Sequence, residues 1–430
     1  MNEPVEDSVF SERRAVRSLS VIVVGAGIGG LAIGLCMQKT GHNVVILEKR
    51  KHIAEVGAGI QLAPNASRIL RRFGVLDEIM KHATILERNS SRRWQDDDEL
   101  GSTVLVPDIE EQFGAPLAVL HRADFQRVLL NAAVGCGCKV LEDHEVIDID
   151  QDFLPTNPSA DGMNSLVRRR MAEASGVVDQ LVPRPESAYR FVLPIELIKH
   201  DEEVMGLLRS NQGMRYMGPG GHIMAYPLRN NTLYNVVLIH ETSGTKSEKT
   251  SWTAAAKMEE ILEHYHGWCP MVQNLIAHAH DTEVLETPMN DMSPLPTWVK
   301  GRIALAGDAC HYMLPYVAQG ASNSIEDAGV LAMAFTCTDE IELALELYQS
   351  VRKTRGERIQ ASATNTGNTL HMPDGEEQRR RDESIRAASR GEGANPDQWN
   401  DRQAREFMWR VDVMAEMIDK FEFAMRETDT

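Results

Sequence analysis

Residues 21–35 read VIVVGAGIGGLAIGL, from Val21 to Leu35, and this stretch decides the fold. Four apolar, β-branched residues run into Gly25-Ala26-Gly27-Ile28-Gly29-Gly30, and a small-residue apolar segment follows. The pattern predicts strand, tight turn and helix. Gly25, Gly27 and Gly30 have the G-x-G-x-x-G spacing: the first for the turn, the second for close approach of a pyrophosphate, the third for helix–strand packing. The phosphates would sit on the unsatisfied N–H groups of the helix start. A second apolar run, Asn43-Val44-Val45-Ile46-Leu47, ends in Glu48, an acid placed for a ribose hydroxyl. A dinucleotide site is the expectation; a packed βαβ unit without a ligand is the alternative.

The chain has 430 residues, enough for two domains, since single cores stop growing beyond roughly 250–300 residues. A formal net charge of −18 argues against nucleic acid or an anionic membrane surface as partner. The first residues, MNEPVEDSVFSERRAVR, lack the apolar region of a signal peptide. Segment 19–37 approaches membrane length, but its glycines favour the nucleotide fold and no span is expected. Cysteines 36, 136, 138, 269, 310 and 337 are scattered. They read as reduced thiols in a cytoplasmic protein. His264/His266 and His278/His280 lack further ligands at suitable spacing, so no metal is expected.

Along the chain, residues 1–18 read as a flexible tail. Gly57-Ala58-Gly59 opens a glycine-rich loop and strand, Pro64 starts a helix, and 86–110 reads as a hairpin over the surface. His121-Arg122-Ala123-Asp124 leads an amphipathic helix, with Arg122 open to reading as a solvated helix-end charge. Glu145–Ile149 reads as a strand and 166–182 as a helix. From Tyr189 the texture is β, with strands at Tyr189–Pro194, Ile223–Leu228 and Leu233–Ile239, then helix over 252–279. A buried strand at Val299–Ala306 leads to Gly307-Asp308-Ala309 and a helix from near Asn323. Residues 371–400 read as solvated, before a final helix over 403–426.

The run Gly301–His311, GRIALAGDACH, continues through Pro315 and Gln319-Gly320-Ala321 to Asp327. It resembles the second FAD fingerprint of the flavoprotein aromatic hydroxylases. From residue 19 to about 425 the chain resembles the salicylate hydroxylase-like FAD-dependent monooxygenases of fungal type. The resemblance implies an α/β fold: an FAD-binding Rossmann-like three-layer domain of glutathione-reductase type, with a second domain of mostly antiparallel sheet plus helices. Its boundaries would be 19–182 with 296–365 for the FAD-binding domain, 183–295 for the substrate domain, and 366–430 for a C-terminal helical segment. It places FAD on Gly25, Gly27, Gly30, Glu48, Gly59, Arg122, Asp308 and Ala321. NADPH or NADH would visit as co-substrate, and a C4a-hydroperoxyflavin would hydroxylate a small phenolic or salicylate-like aromatic substrate, in catabolism or secondary metabolism. An oligomer is compatible with this. Arg190, Tyr226 and His222 match positions of active-site residues: Arg190 for a carboxylate or phenolate, His222 as general base. A turn histidine and a sheet-packing tyrosine remain equal alternatives. Pro315 and His311 are further lining candidates.

The resemblance breaks at one place. Relatives carry further strands before their Asp-Gly motif, whereas here Asp148-Ile149-Asp150 passes through QDFLPTNPS directly to Ala160-Asp161-Gly162. Roughly two dozen residues, including a central parallel strand, are missing, and polar Thr156-Asn157-Pro158-Ser159 is not expected to replace it. The gap motivates one alternative, a catalytically impaired relative; a flavin-dependent reductase on the same fold is another, against which the Pro315–Gly320 segment, typical of the hydroxylases, counts.

Overall fold

The structure, a computed structural model, describes residues 7–53, 58–149, 157–159, 161–178, 181–242 and 254–428. Gly57 and the polar stretch 150–156 lie outside them. In chain order the strands are β1 (Ser20–Val24), β2 (Asn43–Leu47), β3 (Gly59–Leu62), β4 (Arg88–Arg93), β5 (Glu99–Val104), β6 (Ala118–His121), β7 (Lys139–Leu141) and β8 (Asn157–Ser159). They continue as β9 (Leu181–Pro194), β10 (Gln212–Gly218), β11 (Gly221–Leu228), β12 (Leu233–Glu241), β13 (Ala254–Ala255), β14 (Leu285–Met292), β15 (Val299–Lys300) and β16 (Ile303–Leu305).

The apolar run at Val21 becomes β1, whose Val21 and Val23 are buried, and the glycine turn hands it to helix Ile28–Lys39. Gly25 has φ 99°, which only glycine adopts readily. A Cβ on Gly30 would lie 1.9 Å from the Gly25 carbonyl oxygen, so helix and turn are packed backbone to backbone. The sheet carrying them runs β15-β16-β8-β1-β2-β7 and is parallel except for β15 against β16.

The expected gap before Asp161 is filled. Residues Asn157–Ser159 form β8 between β1 and β16, with Ile303 opposite Asn157 and Leu305 opposite Ser159. This corrects the expectation that a Pro-containing polar segment cannot take a central place. Pairing uses backbone groups, and three residues reach both neighbours without a long apolar run. Toward β1, however, the described pairing rests on Val24 opposite Ser159. Asp161 itself serves as a helix cap, its Oδ2 accepting from Leu166 N at 2.8 Å at the head of helix Leu166–Ala174. That helix is shorter than expected, and Glu145–Ile149 forms no strand.

The second sheet runs β13-β14-β9-β12-β11-β10-β4-β5, antiparallel except where β4 meets β10. The hairpin at 86–110 is therefore part of this sheet rather than a surface flap, and Asn89, Ser90 and Ser91 are buried. One face (Tyr189, Phe191, Ile223, Ala225, Val236, Leu238) packs on helices Glu202–Arg209, Met258–His264 and Pro270–Ala277. The opposite face carries Tyr226, Leu228, Val237 and Ile239, and meets Met313, Leu314 and Tyr316 of the segment after Gly307.

The C-terminal region is more ordered than its composition suggests. Helix Glu376–Ser389 buries Ile385, and Trp399 is buried beyond it. Asp397 is fully buried and accepts from Arg215 on β10 at 2.5 Å. The final helix is broken: a π-helical turn at Glu406–Arg410 precedes Val413–Thr428. Near the N-terminus, Ser8–Ser11 is helical and buries Phe10 under the Arg72 guanidinium, 3.7 Å from the ring centroid.

Candidate active site

The site lies where the glycine turn, β3, the Gly307 turn and the second sheet converge. Above Gly27 nothing lies within 4 Å of an added Cβ, so the turn is open on the side where a phosphate would approach. Glu48, at the end of β2, accepts the Ala26 N–H at 2.9 Å, which fixes the acid beside that turn. Gly307 has φ 60° and ψ −141°, a conformation reserved for glycine, and its N–H donates to Asp327 Oδ2 at 2.8 Å. The turn presents Asp308, and helix Gly320–Cys337 starts nearby with Ala321 in its first turn and open space over Gly320.

Asp308 and Arg122 are both exposed by surface, yet surrounding protein desolvates their charged groups, and each lies within electrostatic reach of the other. Enclosure raises the Asp308 carboxyl above the usual range, with His311 and Arg122 opposing. Enclosure also lowers the Arg122 guanidinium, against the pull of Asp308. Arg122 opens helix Arg122–Gly135, and its N–H donates to the Ala58 carbonyl at 3.1 Å, which joins it to the glycine-rich loop. Its reach to Asp308 places it on the side of the Gly307 turn.

On the second sheet, β9 and β11 carry the expected substrate residues. Burial lowers the Arg190 guanidinium, and the hydroxyls of Tyr226, Tyr312 and Tyr316 and the charge of Arg122 lie within its electrostatic reach. The Arg190 side chain makes no hydrogen bond or ion pair among the described residues. The Tyr226 ring crosses Gly59 so closely that a Cβ there would lie 2.5 Å from the Tyr226 hydroxyl. Burial raises that phenol, with Arg190 pulling the other way.

Because β11 begins at Gly221, His222 shares a face with Tyr226. Its Nδ1 is engaged, sharing a 2.7 Å hydrogen bond with His371 Nε2, and its ring meets Tyr316 edge-on at 5.1 Å. Burial, then His371 and Arg215, push His222 well below the ordinary histidine range. It is a neutral, occupied imidazole, which suits support better than proton abstraction. His311 is also turned inward: it is fully buried and bonded to Asp327 Oδ2 at 2.6 Å, whereas Pro315 is exposed.

Several supporting residues escaped the sequence reading. Asn235 on β12 is buried opposite Tyr226 and accepts the Gly59 N–H at 2.6 Å. Asp327 accepts from Gly307 N–H, His311 and Arg352 Nε, while Arg352 and Arg355 both bond Glu326. Cys310, His311 and Asp327 come within metal-ligand reach of one another. The Asp327 carboxylate is already committed to those three donors, so the cluster reads as a brace under the Gly307 turn. Asp124 forms a bidentate pair with Arg229 at 2.6 and 2.9 Å, tying the helix that begins at Arg122 to the β11–β12 turn. A lone Asn or Asp has no sequence signature for such roles, although Asp124 and Asp327 fell inside quoted motifs. The open glycine turn, the enclosed Asp308 and Arg122 and the glycine-only Gly307 turn fit a long dinucleotide lying from Glu48 to Asp308.

Comparison with known proteins agrees with this geometry. The profile of the FAD binding domain family matches residues 18–158 and 159–363, so the match breaks at β8. The FAD-dependent monooxygenase atnJ of Arthrinium sp is 36% identical over 399 residues, covering 88% of this chain and 91% of its own. The 3-hydroxybenzoate 6-hydroxylase 1 of Aquipseudomonas alcaligenes is 32% identical, covering 79% and 86%. Among solved structures, a salicylate hydroxylase substrate complex superposes with a TM-score of 0.75 at 23% identity, covering 93% of this chain and 97% of its own.

Proposed function

Because the chain belongs to the FAD-dependent aromatic monooxygenases, we propose that it uses NAD(P)H and O2 to hydroxylate a phenolic or salicylate-like ring. Bound FAD supplies electron transfer from the nicotinamide and activation of oxygen. In this reading Gly25, Gly27, Gly30 and Glu48 hold the ADP half, Gly59 and Arg122 flank the cofactor, and Asp308 and Ala321 close on the ribityl chain and ring. Arg190 receives the substrate's phenolate or carboxylate by paired, charge-assisted hydrogen bonds. Tyr226 orients the same oxygen and, with Met224 and Val237, keeps water from the reacting ring. His222 and His371 hold Tyr316 from behind.

The observation that carries this reading is the Arg190 guanidinium, without a side-chain partner among the described residues and within electrostatic reach of Tyr226 and Arg122. A partly desolvated cation without a counter-ion is unfavourable. An anionic aromatic ligand supplies the missing charge. The test is the purified protein with FAD, NAD(P)H, labelled O2 and a panel of hydroxybenzoates and phenols. One labelled oxygen atom in the product supports the reading. Protein that stays colourless on adding FAD sinks it.

A second reading, an impaired relative, draws on the single described pair between β8 and β1. FAD titration separates the two, since a weakened sheet predicts loose flavin before any failure of chemistry.

A further inference from the structure

On the face of the second sheet that meets the Gly307 segment, β12 presents Leu233, Asn235, Val237 and Ile239. Three of these are aliphatic. The fourth, Asn235, is fully buried, and its Oδ1 accepts the Gly59 N–H at 2.6 Å. Its Nδ2 is buried without a hydrogen-bond partner among the described residues. A half-satisfied amide is a costly filling for a sheet face, because the stranded donor gives up its hydration. An aliphatic side chain would fill the place without that cost. The amide is explained by what its oxygen holds.

Gly59 opens β3, pairs with His121 of β6 and lies under Tyr226 of β11. A Cβ on Gly59 would lie 2.5 Å from the Tyr226 hydroxyl, 2.6 Å from its Cε2 and 2.8 Å from its Cζ. The hydroxyl end of the ring therefore rests against the glycine. Tyr226 and Asn235 are direct partners across β11 and β12, so their side chains leave the sheet side by side and meet the same residue. The glycine backbone is the stop for the ring, and the Asn235 amide is the strut that sets the stop's distance from the sheet. Arg190 is opposite Val237, on the same face and diagonal to Asn235. A second tie, between Arg229 and Asp124, holds the helix that follows β6 to the β11–β12 turn. Loss of the Asn235 bond thus frees Gly59 without undocking the β3–β6 pair.

We propose that Asn235 is a positioning residue for the hydroxylation: through Gly59 it fixes the resting place of the Tyr226 hydroxyl relative to Arg190. The inference rests on the reading that Arg190 and Tyr226 receive the substrate's oxygen. With the strut removed, Arg190 still binds the substrate, but the tyrosine no longer holds that oxygen in line. The loss then falls on kcat rather than on KM, as for an interaction that orients the reacting ring without adding to ground-state binding.

The test uses the full-length protein loaded with FAD and the variant Asn235→Leu, with Asn235→Ser as the smaller replacement if leucine disturbs the fold by circular dichroism. Two readouts need no turnover. Hydrogen exchange at the Gly59 amide is expected to be about tenfold or more faster in the variant. Nitration of Tyr226 by tetranitromethane, read in the tryptic peptide Tyr216–Arg229, should be about fivefold or more faster, with Tyr216 in the same peptide unchanged. With a hydroxybenzoate or phenol that is turned over, kcat should fall about tenfold while KM changes less than about threefold. In a Tyr226→Phe background, Asn235→Leu should lower kcat by less than about twofold, because the hydroxyl it serves is gone. Losses that multiply in the double variant overturn the proposal. So does nitration of Tyr226 at the parent rate in both Asn235 variants. A protein that hydroxylates none of these compounds sinks the assigned reaction alone, and the exchange and nitration rates then decide the strut.

Discussion

Gly27 and Gly30 stand three residues apart and are needed for opposite reasons. Gly30 has no room for a Cβ, because the Gly25 carbonyl is 1.9 Å from where it would sit. Gly27 has open space, which is the room a phosphate needs. Gly30→Ala is therefore expected to destabilise the fold by about 3 kcal/mol or more, visible in urea unfolding of the apoprotein. Gly27→Ala should leave that unfolding curve within about 1 kcal/mol of the parent and weaken FAD at least tenfold in a fluorescence titration. Equal unfolding midpoints for the two variants would refute the distinction. Arg190→Met should lower kcat/KM for an acidic or phenolic substrate by about ten- to a hundredfold, the worth of a charge-assisted pair. An unchanged kcat/KM would move the substrate anchor elsewhere. Both glycines were legible as spacing. Arg190 was legible only through resemblance, and Asn235 not at all, since one amide inside the apolar strand Leu233–Glu241 carries no periodic signal. The partner of His222 is 149 residues away in sequence, beyond any local pattern.

Among elements, helix Gly320–Cys337 is the keel of the site. Its Glu326 and Asp327 are fully buried, and Arg352, Arg355, His311, Asn65 and the Gly307 N–H converge on them. Burial alone would raise both carboxyls, but the cations around them outweigh it and hold both below the usual range. Arg352→Met strands part of that charge and should cost about 3–5 kcal/mol in denaturant unfolding. A loss under about 1 kcal/mol would show that Arg355 and His311 suffice. Continuous apolar runs made β1, β2 and β12 readable, turns marked β11, and the motif running from Gly301 to Asp327 announced this helix. β8 was not readable, because a strand held by its neighbours' backbones needs no propensity of its own. Helix Glu376–Ser389 was missed for a related reason. Its charged residues answer partners far along the chain, as Arg386 answers Asp98, and composition alone looks solvated.

At the scale of the molecule, buried histidines set an acid limit. Burial holds His42, His240 and His371 down to about 4 and pushes His222 well below the ordinary histidine range. Unfolded histidine takes up its proton near 6.5. Between about pH 6.5 and 4 the unfolded chain therefore binds more protons, so stability is complete above 6.5 and falls as the pH drops. Each such histidine contributes a slope of at most about 1.4 kcal/mol per pH unit. Urea midpoints at pH 7, 6 and 5 should decline steadily; a flat profile across that window would contradict the buried, neutral rings.

The place of β8 in the sheet also has a consequence for the order in which the chain is made. One neighbour, β1, leaves the ribosome long before β8, but the other, β16, is translated only after β9 to β15. Until Ile303–Leu305 emerges, the short strand is paired on one side only, and the Gly307 turn and its ionic keel do not yet exist. The first sheet therefore cannot finish ahead of the second, contrary to the usual N-terminal-first sequence for chains built of successive domains. The nascent glycine turn waits as an unfinished site for most of synthesis. A chain stalled before residue 303 would present an open parallel edge, the kind of surface that chaperones cover.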